Sequence, residues 1–414
     1  MRRCGARCTL FLLFTCLFLG AAHARTWSFK VGSSGSLKEL LRRASPGDTI
    51  HVKGVVQEGT LTIDKPLCLI GLNDAVIDGE RKGEVLLITA SDVTVQGFII
   101  RGTRQSDLDD NAGIKAKECA RTTLRRNRLE GCFFAIYLSG SKGALVEDNI
   151  IEGGDVDENQ MGNGIHLWKC SAATIRGNTI RRHRDGIYFE FVTDSHIERN
   201  TSIGNTRYGL HFMFSHRDGY ANNLFENNGA GVAVMFSHDI SMTNNRFLSN
   251  RGGSSYGLLL KEINDGVITG NLFSDNTTGL MVDGCNRIRT EHNVFMLNGW
   301  ALRLYANASA CHFGSNTFKG NTFDLSTNGD LMLNTIAANY WDRYIGYDLD
   351  RNGEGDTPYR PLGFFTLLVE RMPFAMVFSR SLFVSLLDRA ERVIPSLSPE
   401  AMKDDRPLMR PPHG

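Results

Sequence analysis

An asparagine recurs through this chain at an almost constant interval. The gaps between successive members are 22, 29, 22, 23, 22, 26, 22, 23 and 23 residues. The ten members are Asn127, Asn149, Asn178, Asn200, Asn223, Asn245, Asn271, Asn293, Asn316 and Asn339. A repeat of this length is typical of a solenoid, in which each unit cannot bury its apolar face alone and packs against the next. The chain is therefore expected to be a stack of similar turns.

A second marker, a glycine or alanine before a short alternating segment, keeps the same spacing. Segments such as Ile165-His166-Leu167-Trp168 alternate apolar residues with other types, which predicts a strand with one buried face. Short strands without helical patterns between them predict an all-β fold, a right-handed parallel β-helix of the pectin-lyase-like kind. The asparagines, and the phenylalanines that follow five of them, are expected to stack inside it. Those phenylalanines are Phe225, Phe247, Phe273, Phe295 and Phe318.

The ends of the chain differ from the repeats. Residues 1–24 resemble a secretory signal, with early arginines, an apolar run from Leu10 to Leu19 and a small-residue cleavage site before Arg25. This predicts export to a bacterial periplasm. The coil is expected over residues 25–345, an acidic turn over 346–361, and a helical segment with a tail over 362–414. A short amphipathic helix from Ser36 to Ala44 is expected to cap the first turn.

Charge and cysteine content exclude some classes of protein. The 46 basic and 45 acidic residues nearly cancel, so the chain lacks the positive charge that nucleic-acid binding requires. Six cysteines follow the signal, and an even number in an exported chain allows disulfides. Three of them share one column of the repeat but lie in non-adjacent turns, too far apart for a bridge. Most of the six are therefore predicted to be unpaired, small apolar side chains.

Histidine and methionine are concentrated at outward positions of the middle repeats. The tetrapeptide Met-Phe-Ser-His occurs as Met213 to His216 and again as Met235 to His238, 22 residues later. Stacked turns would place equivalent residues about 4.8 Å apart. Thioether and imidazole groups suit copper, Cu(I) above all. The candidate copper ligands are His166, His211, Met213, His216, Met235 and His238. The alternative is that the tetrapeptide was copied with the repeat and only fills the stack.

An acidic segment follows the last repeat. Its candidate calcium ligands, which match the early positions of an EF-hand loop, are Asp348, Asp350, Asn352 and Asp356. Tyr359 stands where that loop needs a glutamate, and no helices flank the segment. A hydrogen-bonded Asx turn is therefore the alternative to a calcium site.

Beyond Pro361 the pattern becomes helical, with an apolar stripe that includes Leu367, Phe374, Phe378 and Leu382. The run is too short to span a bilayer. An amphipathic segment that seeks a membrane surface or a membrane-protein partner fits it. The alternative is that it folds back over the end of the coil.

Several motifs around the last repeat resemble the NosD family. They are Asn339-Tyr340-Trp341-Asp342, Gly346-Tyr347-Asp348, Pro358-Tyr359-Arg360-Pro361 and Arg371-Met372-Pro373. The resemblance covers the mature chain and implies a periplasmic β-helix protein of nitrous oxide reductase maturation. It also implies a non-enzymatic part of an ABC-type assembly with an ATPase and a membrane subunit. That assembly would work with a copper chaperone to supply copper, with sulfur as a second candidate, to the copper-sulfide centre of the reductase.

Two other classes of function remain open at this point. A polysaccharide lyase, epimerase or hydrolase would need clustered carboxylates, and Glu190 and Asp283 are several repeats apart. The acidic loop at Asp155, Asp157 and Glu158 is the single candidate cluster, and it is expected to be solvated. A glycan-binding surface without catalysis would use as stacking platforms the aromatic residues Trp168, Tyr188 and Tyr137.

Overall fold

The computed structural model describes residues 24–106, 109–154, 157, 160–329, 333–379, 381–393 and 402–412. Apart from Ala24, the predicted signal peptide lies outside the described residues. So do Asp155 and Glu158 of the predicted acidic loop.

The described chain coils through three parallel sheets, and each turn contributes one short strand to each sheet. Sheet 1 contains Thr26–Lys30, Thr49–Lys53, Cys68–Gly71, Thr94–Gln96, Thr123–Arg125, Leu145–Glu147, Thr174–Arg176, His196–Glu198, Gly219–Ala221, His238–Thr243, Asn264–Thr269, Asn286–Glu291, His312–Gly314 and Thr335–Ala337. Sheet 2 contains Val55–Val56, Val76–Asp78, Ile99–Arg101, Arg128–Glu130, Ile150–Glu152, Thr179–Arg181, Thr201–Ile203, Leu224–Glu226, Arg246–Leu248, Leu272–Ser274, Val294–Met296, Thr317–Lys319 and Tyr340–Trp341. Sheet 3 contains Leu61–Ile63, Leu86–Ile88, Ala112–Lys117, Phe134–Ser139, Ile165–Trp168, Asp185–Glu190, Tyr208–Met213, Ala230–Met235, Leu258–Lys261, Thr278–Asp283, Trp300–Leu304 and Phe323–Ser326.

These sheets form a parallel β-solenoid of about 13 turns, which confirms the predicted parallel β-helix. Strands pair in parallel with the strand one turn later, and equivalent residues of the repeat are direct partners, as Leu210 is with Val232. The inward residues of the three sheets form one continuous apolar core along the coil. The repeat alignment made from the sequence is therefore the register of the sheets.

The predicted asparagine stack is a hydrogen-bonded ladder inside the coil. The backbone N–H and the side-chain Nδ2 of Asn127 both donate to Oδ1 of Asn149, at 3.0 and 3.2 Å. The same two bonds join each later member to the next, as far as Asn339. Because these polar groups are buried, the ladder satisfies backbone donors that would otherwise be costly to leave unpaired.

A second ladder, which the sequence analysis did not identify, runs parallel to the first. Its members are Asn205, Asn228, Asn250, Asn276, Asn298 and Asn321, joined by equivalent bonds. The five predicted phenylalanines stack with centroid separations of 4.7 to 5.6 Å. Trp341 extends the stack at 4.1 Å from Phe318.

The cysteines behave as predicted. The six after the signal are free thiols, and all but Cys68 are buried: Cys68, Cys119, Cys132, Cys170, Cys285 and Cys311. Burial raises the pKa of the Cys132 and Cys285 thiols to about 12, so they remain protonated at neutral pH. They act as small core residues.

Both ends of the coil are capped. The predicted N-terminal helix spans Leu37–Arg43, Ser36 Oγ accepts from the N–H of Glu39, and Leu37 and Leu41 are buried against the coil. At the other end a helix spans Phe364–Arg371, a 3-10 helix spans Pro373–Phe378, and a further helix spans Leu382–Val393. Residues 402–412 then return and pair with the last turn.

Asp404 in this returning tail takes the place of the next ladder residue. Its Oδ2 accepts from the N–H of Asn339 at 2.9 Å and from Nε1 of Trp341 at 3.0 Å. Its Oδ1 accepts from the N–H of Ala338 at 2.9 Å. The tail therefore closes the first ladder.

Candidate functional site

The candidate copper residues lie on the outer face of sheet 3 and at the corner that follows it. On this face, neighbouring turns form a column of rings in contact: Tyr137, His166, Tyr188 and His211. His166 lies 4.6 Å from Tyr137 and 4.7 Å from Tyr188, measured between ring centroids. Its Nδ1 lies 3.1 Å from Nδ2 of Asn163. Burial lowers the pKa of His166 to about 3, so the ring is neutral at physiological pH.

His211 is separated from His166 by Tyr188, and it is only 7% exposed. Its Nδ1 lies 3.8 Å from Oδ2 of Asp185, a fully buried carboxylate at the start of the preceding strand. Tyr208 also covers the ring, at 4.7 Å between centroids. His166 and His211 therefore share a face, as predicted, but Tyr188 lies between their rings.

The two methionines of the repeated tetrapeptide are direct partners in the sheet. Met213 pairs with Met235 at the ends of neighbouring strands, and both side chains are partly exposed. Met235 also packs against an apolar cluster that includes Tyr256 and Leu259. The thioethers are thus presented on neighbouring turns at the edge of an apolar patch.

The two phenylalanines of the tetrapeptide, together with Phe191 one turn earlier, form an outer stack that the sequence analysis missed. Phe191, Phe214 and Phe236 follow one another at the corner, with centroid separations of 5.3 and 5.2 Å. Their φ angles are 56°, 50° and 53°, a region that bulky residues rarely adopt. Other turns have Gly140, Glu262 or Gly284 at this corner position. The signal available in the sequence was a phenylalanine at the same offset in three successive repeats.

The two histidines of the tetrapeptide lie just beyond this corner. The rings of His216 and His238 stack with centroids 4.0 Å apart and planes inclined by 12°. Burial lowers the pKa of His216, and the neighbouring His238 ring lowers it further. Nδ1 of His238 lies 2.7 Å from Oδ2 of Asp239. The lowered pKa favours the neutral form of His216, the state in which imidazole binds a metal.

The structure thus divides the six candidates into His166, His211, the methionine pair and the histidine pair. Within the described part of the chain, no three His, Cys, Asp or Glu side chains converge closely enough to hold a metal ion. A copper site built from these residues would therefore depend on the thioethers of Met213 and Met235. Thioethers are soft ligands that favour Cu(I) over harder ions.

The acidic turn has the hydrogen bonds of the Asx alternative. Oδ2 of Asp348 accepts from the N–H of Gly353 at 2.9 Å, and Oδ1 of Asn352 accepts from the N–H of Glu354 at 2.7 Å. Oδ2 of Asp356 accepts from the N–H of Leu349 at 2.6 Å. Backbone hydrogen bonds also lower the pKa of Asp348, although burial opposes them. The candidate ligands are therefore occupied by the turn itself, and the structure gives no support for calcium.

The C-terminal helical segment packs against the coil on one side, as one of the two alternatives predicted, and exposes apolar side chains on the other. Phe365 and Val369 pack against Phe323 of sheet 3, and Arg303 forms an ion pair with Glu370 at 2.9 Å. On the other side Phe374, Val377 and Leu382 are 88%, 85% and 76% exposed. No helix within the described ranges is long and apolar enough to cross a membrane.

The predicted glycan platforms do not present free ring faces. Tyr137 is covered by His166 on one side and by the Lys115 ammonium, 5.2 Å from the ring centroid. Tyr188 lies between His166 and His211, which meets it edge to face, and Nζ of Lys169 lies 4.3 Å from the centroid of the Trp168 ring. A sugar stacks on an exposed aromatic face, so this arrangement gives no support to the glycan-binding alternative.

Comparison with known proteins identifies the family. A profile described as "Periplasmic copper-binding protein (NosD)" matches residues 147–346. The "Probable ABC transporter binding protein NosD" of Pseudomonas aeruginosa strain PAO1 is 32% identical over 376 residues, covering 86% of each chain. The chain belongs to the NosD family. A protein of the same name from Stutzerimonas stutzeri is 30% identical over 385 residues, covering 86% of this chain and 85% of its own. The family is thus described as periplasmic and copper-binding, and these relatives are named as binding proteins.

Solved structures with the same fold have other names. A mannuronic acid specific polysaccharide family 6 lyase from human gut microbiota has a TM-score of 0.52 and 11% identity, covering 79% of this chain and 89% of its own. The Dettilon tailspike protein has a TM-score of 0.51 and 13% identity, covering 71% and 64%. At these identities the likeness shows the β-helix fold alone.

Proposed function

We propose that this chain is a periplasmic accessory protein for the maturation of nitrous oxide reductase. It would support delivery of copper, with sulfur as a second candidate cargo, to the copper-sulfide centre of the reductase. It would act without catalysis, in an ABC-type complex with an ATPase and a membrane subunit, and would receive copper from a chaperone. Association with the inner membrane would occur through these partners.

The pairing of Met213 with Met235 supports this proposal most directly. Two soft thioethers on neighbouring turns, followed by the stacked rings of His216 and His238, offer four ligand side chains for Cu(I). Partial exposure suits a cargo that must be received and released, because a fully enclosed site would retain the ion. His166 and His211 remain candidate ligands on the same face.

An anaerobic Cu(I) competition titration of residues 25–414 tests the proposal. We expect the native chain to withdraw Cu(I) from a chromophoric chelator. A variant with Met213→Leu and Met235→Leu should bind at least tenfold more weakly, a loss of about 1.4 kcal/mol. Leucine preserves the apolar contacts but has no sulfur ligand.

Met281→Leu is the matched control, because Met281 lies on the same face of sheet 3 but outside the repeated tetrapeptide. It should bind Cu(I) as the native chain does. Failure of the native chain to compete for Cu(I), or equal weakening by the control, would contradict the assigned ligands. Reductase purified from cells with the double variant should also be deficient in copper.

A further inference from the structure

The histidine pair of the candidate copper site has a carboxylate neighbour that is not itself a candidate copper ligand. Asp239 follows His238 in the strand His238–Thr243 of sheet 1, and its φ angle is 54°. This corner position holds a charged residue in five successive turns: Asp194, Arg217, Asp239, Asp265 and Arg287. The column therefore brings three carboxylates and two guanidinium groups onto neighbouring turns.

The arginines of this column are already paired. Nε and Nη2 of Arg217 donate to the two oxygens of Asp194 at 2.7 and 2.9 Å. Arg287 donates in the same way to Asp265 at 2.6 and 2.7 Å. Each guanidinium is thus held by both oxygens of one carboxylate, the geometry of a strong and specific pair. Among the described residues of the column, Asp239 is the acid that has no arginine in contact.

The carboxylate of Asp239 instead contacts the His238 ring. Its Oδ2 lies 2.7 Å from Nδ1 of His238, a distance typical of a charge-assisted hydrogen bond. An ionised carboxylate can only accept, so the proton of this bond belongs to Nδ1. In the neutral ring the free lone pair is then on Nε2, because only one of the two nitrogens carries a proton. The contact therefore fixes both the tautomer and the orientation of the ring.

His216 presents the same nitrogen for a different reason. Its Nδ1 is enclosed and has no hydrogen-bond partner in the part of the chain that the structure describes. A metal ion cannot reach an enclosed atom, so Nε2 is the ligand atom that this ring can offer. The two rings stack with their centroids 4.0 Å apart. The pair therefore offers two Nε2 atoms on neighbouring turns.

We infer that Asp239 is a positioning residue of the candidate copper site. It holds the Nδ1–H of His238, so that this ring binds Cu(I) through Nε2, as the His216 ring does. Histidine ligands in proteins usually donate their other ring N–H to a carboxylate or a carbonyl, and loss of that partner weakens metal binding roughly ten- to hundredfold. The inference rests on the proposed function for the identity of the ion. The tautomer of His238, however, can be measured in the metal-free chain.

Long-range proton–nitrogen NMR correlation spectra of residues 25–414 test the tautomer, recorded without metal and above the pH range in which these rings titrate. We expect His238 of the native chain to carry its proton on Nδ1. Asp239→Gly should lose this preference, because no other acceptor holds the Nδ1 proton, and glycine adopts the positive φ angle of this position without strain. Asp239→Asn, which retains an acceptor oxygen, should preserve part of the preference.

Asp265→Gly is the matched control. It removes a carboxylate from the equivalent position one turn later, where the φ angle is 59° and the partner is Arg287. The control should leave the His238 tautomer unchanged. A native His238 that carries its proton on Nε2 would overturn the role of Asp239. So would a tautomer that Asp239→Gly does not alter, or one that both variants alter equally.

Cu(I) titration of the same samples tests the choice of ligand atom. Cu(I) is diamagnetic, so loading should shift the Nε2 resonances of His216 and His238. Asp239→Gly should weaken Cu(I) binding about tenfold or more, and Asp265→Gly should not weaken it. A shift at Nδ1 of His238, or unaltered affinity in Asp239→Gly, would overturn the inference. A native chain with the expected tautomer that fails to bind Cu(I) would overturn the proposed function and the metal-binding role of Nε2, whereas the contact of Asp239 with the ring would stand.

Discussion

At the scale of single residues, two turns carry a buried ionisable group where neighbouring turns carry a neutral one. The N–H of His183 donates to Oδ1 of Asn205 at 3.1 Å, so His183 stands at the start of the second asparagine ladder. Burial lowers the pKa of His183 to about 4. Asp218, one turn after Ser195 in its column, is also buried, and burial raises the pKa of its carboxyl to about 8. The two groups make stability depend on pH in opposite directions.

His183→Asn should remove the pH dependence of stability that comes from the buried imidazole. Between pH 6.5 and 4 the unfolded chain takes up the imidazole proton before the folded chain does, so folding is destabilised as pH falls. The shift corresponds to roughly 3 kcal/mol lost on going from pH 7 to pH 4. Asparagine can continue the ladder and does not titrate.

We therefore expect the free energy of unfolding of the variant, relative to the native chain, to rise as pH falls across this range. Urea denaturation at several pH values measures this difference in free energy. The contribution of Asp218 cancels because both chains contain it. A native chain and variant with parallel pH profiles would contradict the buried neutral imidazole.

At the scale of elements, the C-terminal tail acts as a final partial turn. Residues 402–412 pair with Tyr340, Glu354 and Tyr359, and Met402 is buried against the core. The helical segment is consequently attached at both ends. It follows the last turn of the coil, and the tail after it pairs with that end of the coil again. This arrangement limits how far the segment can move from sheet 3.

Asp404→Ala should release the tail. The change leaves the N–H groups of Ala338 and Asn339 and Nε1 of Trp341 without their acceptor. Each lost bond to a charged group is worth about 1.5 to 3 kcal/mol. Hydrogen exchange should accelerate in residues 335–341 and 402–412 but not in the middle turns. Asp404→Asn, which keeps one acceptor oxygen, should have a smaller effect, and the exposed Asp405→Ala should have none.

At the scale of the whole molecule, the candidate copper ligands and the helical segment lie along one face. Ala233, beside the methionine pair, and Arg303, which contacts the helical segment, occupy one outward column of sheet 3. Three turns separate them, or about 14 Å at the usual strand spacing. A partner docked on the helical segment would therefore lie close to the proposed copper site.

Phe378→Gln with Leu382→Gln tests whether the exposed apolar side of this segment is the docking surface. These side chains are 56% and 76% exposed, so their replacement should leave folding intact. We expect the variant to bind Cu(I) normally but to lose at least tenfold in co-purification with the membrane subunit. Leu297→Gln is the control, because Leu297 is 59% exposed and follows a strand of sheet 2, away from this segment. Undiminished co-purification would place the docking surface elsewhere.

Much of this fold follows from the sequence, because a solenoid repeats one local rule. Strand register, the first asparagine ladder, the inner phenylalanine stack and the unpaired cysteines were all predictable from spacing. The repeated tetrapeptide likewise predicted the pairing of Met213 with Met235 and of His216 with His238. In each case the contact is between equivalent residues of neighbouring turns, so linear spacing is sufficient.

Only the tertiary structure reveals the contacts between residues that do not occupy equivalent positions in neighbouring turns. Asp404 closes the ladder from 65 residues away, and no periodic signal marks it. His211 is buried because Asp185 and Tyr208 come from other columns of its face. Spacing along the chain predicts which residues stack on one another. Which side chains are buried, which charges are paired and which ring faces are covered depend on residues that meet only in the folded coil. These contacts separate the six candidate copper ligands into groups.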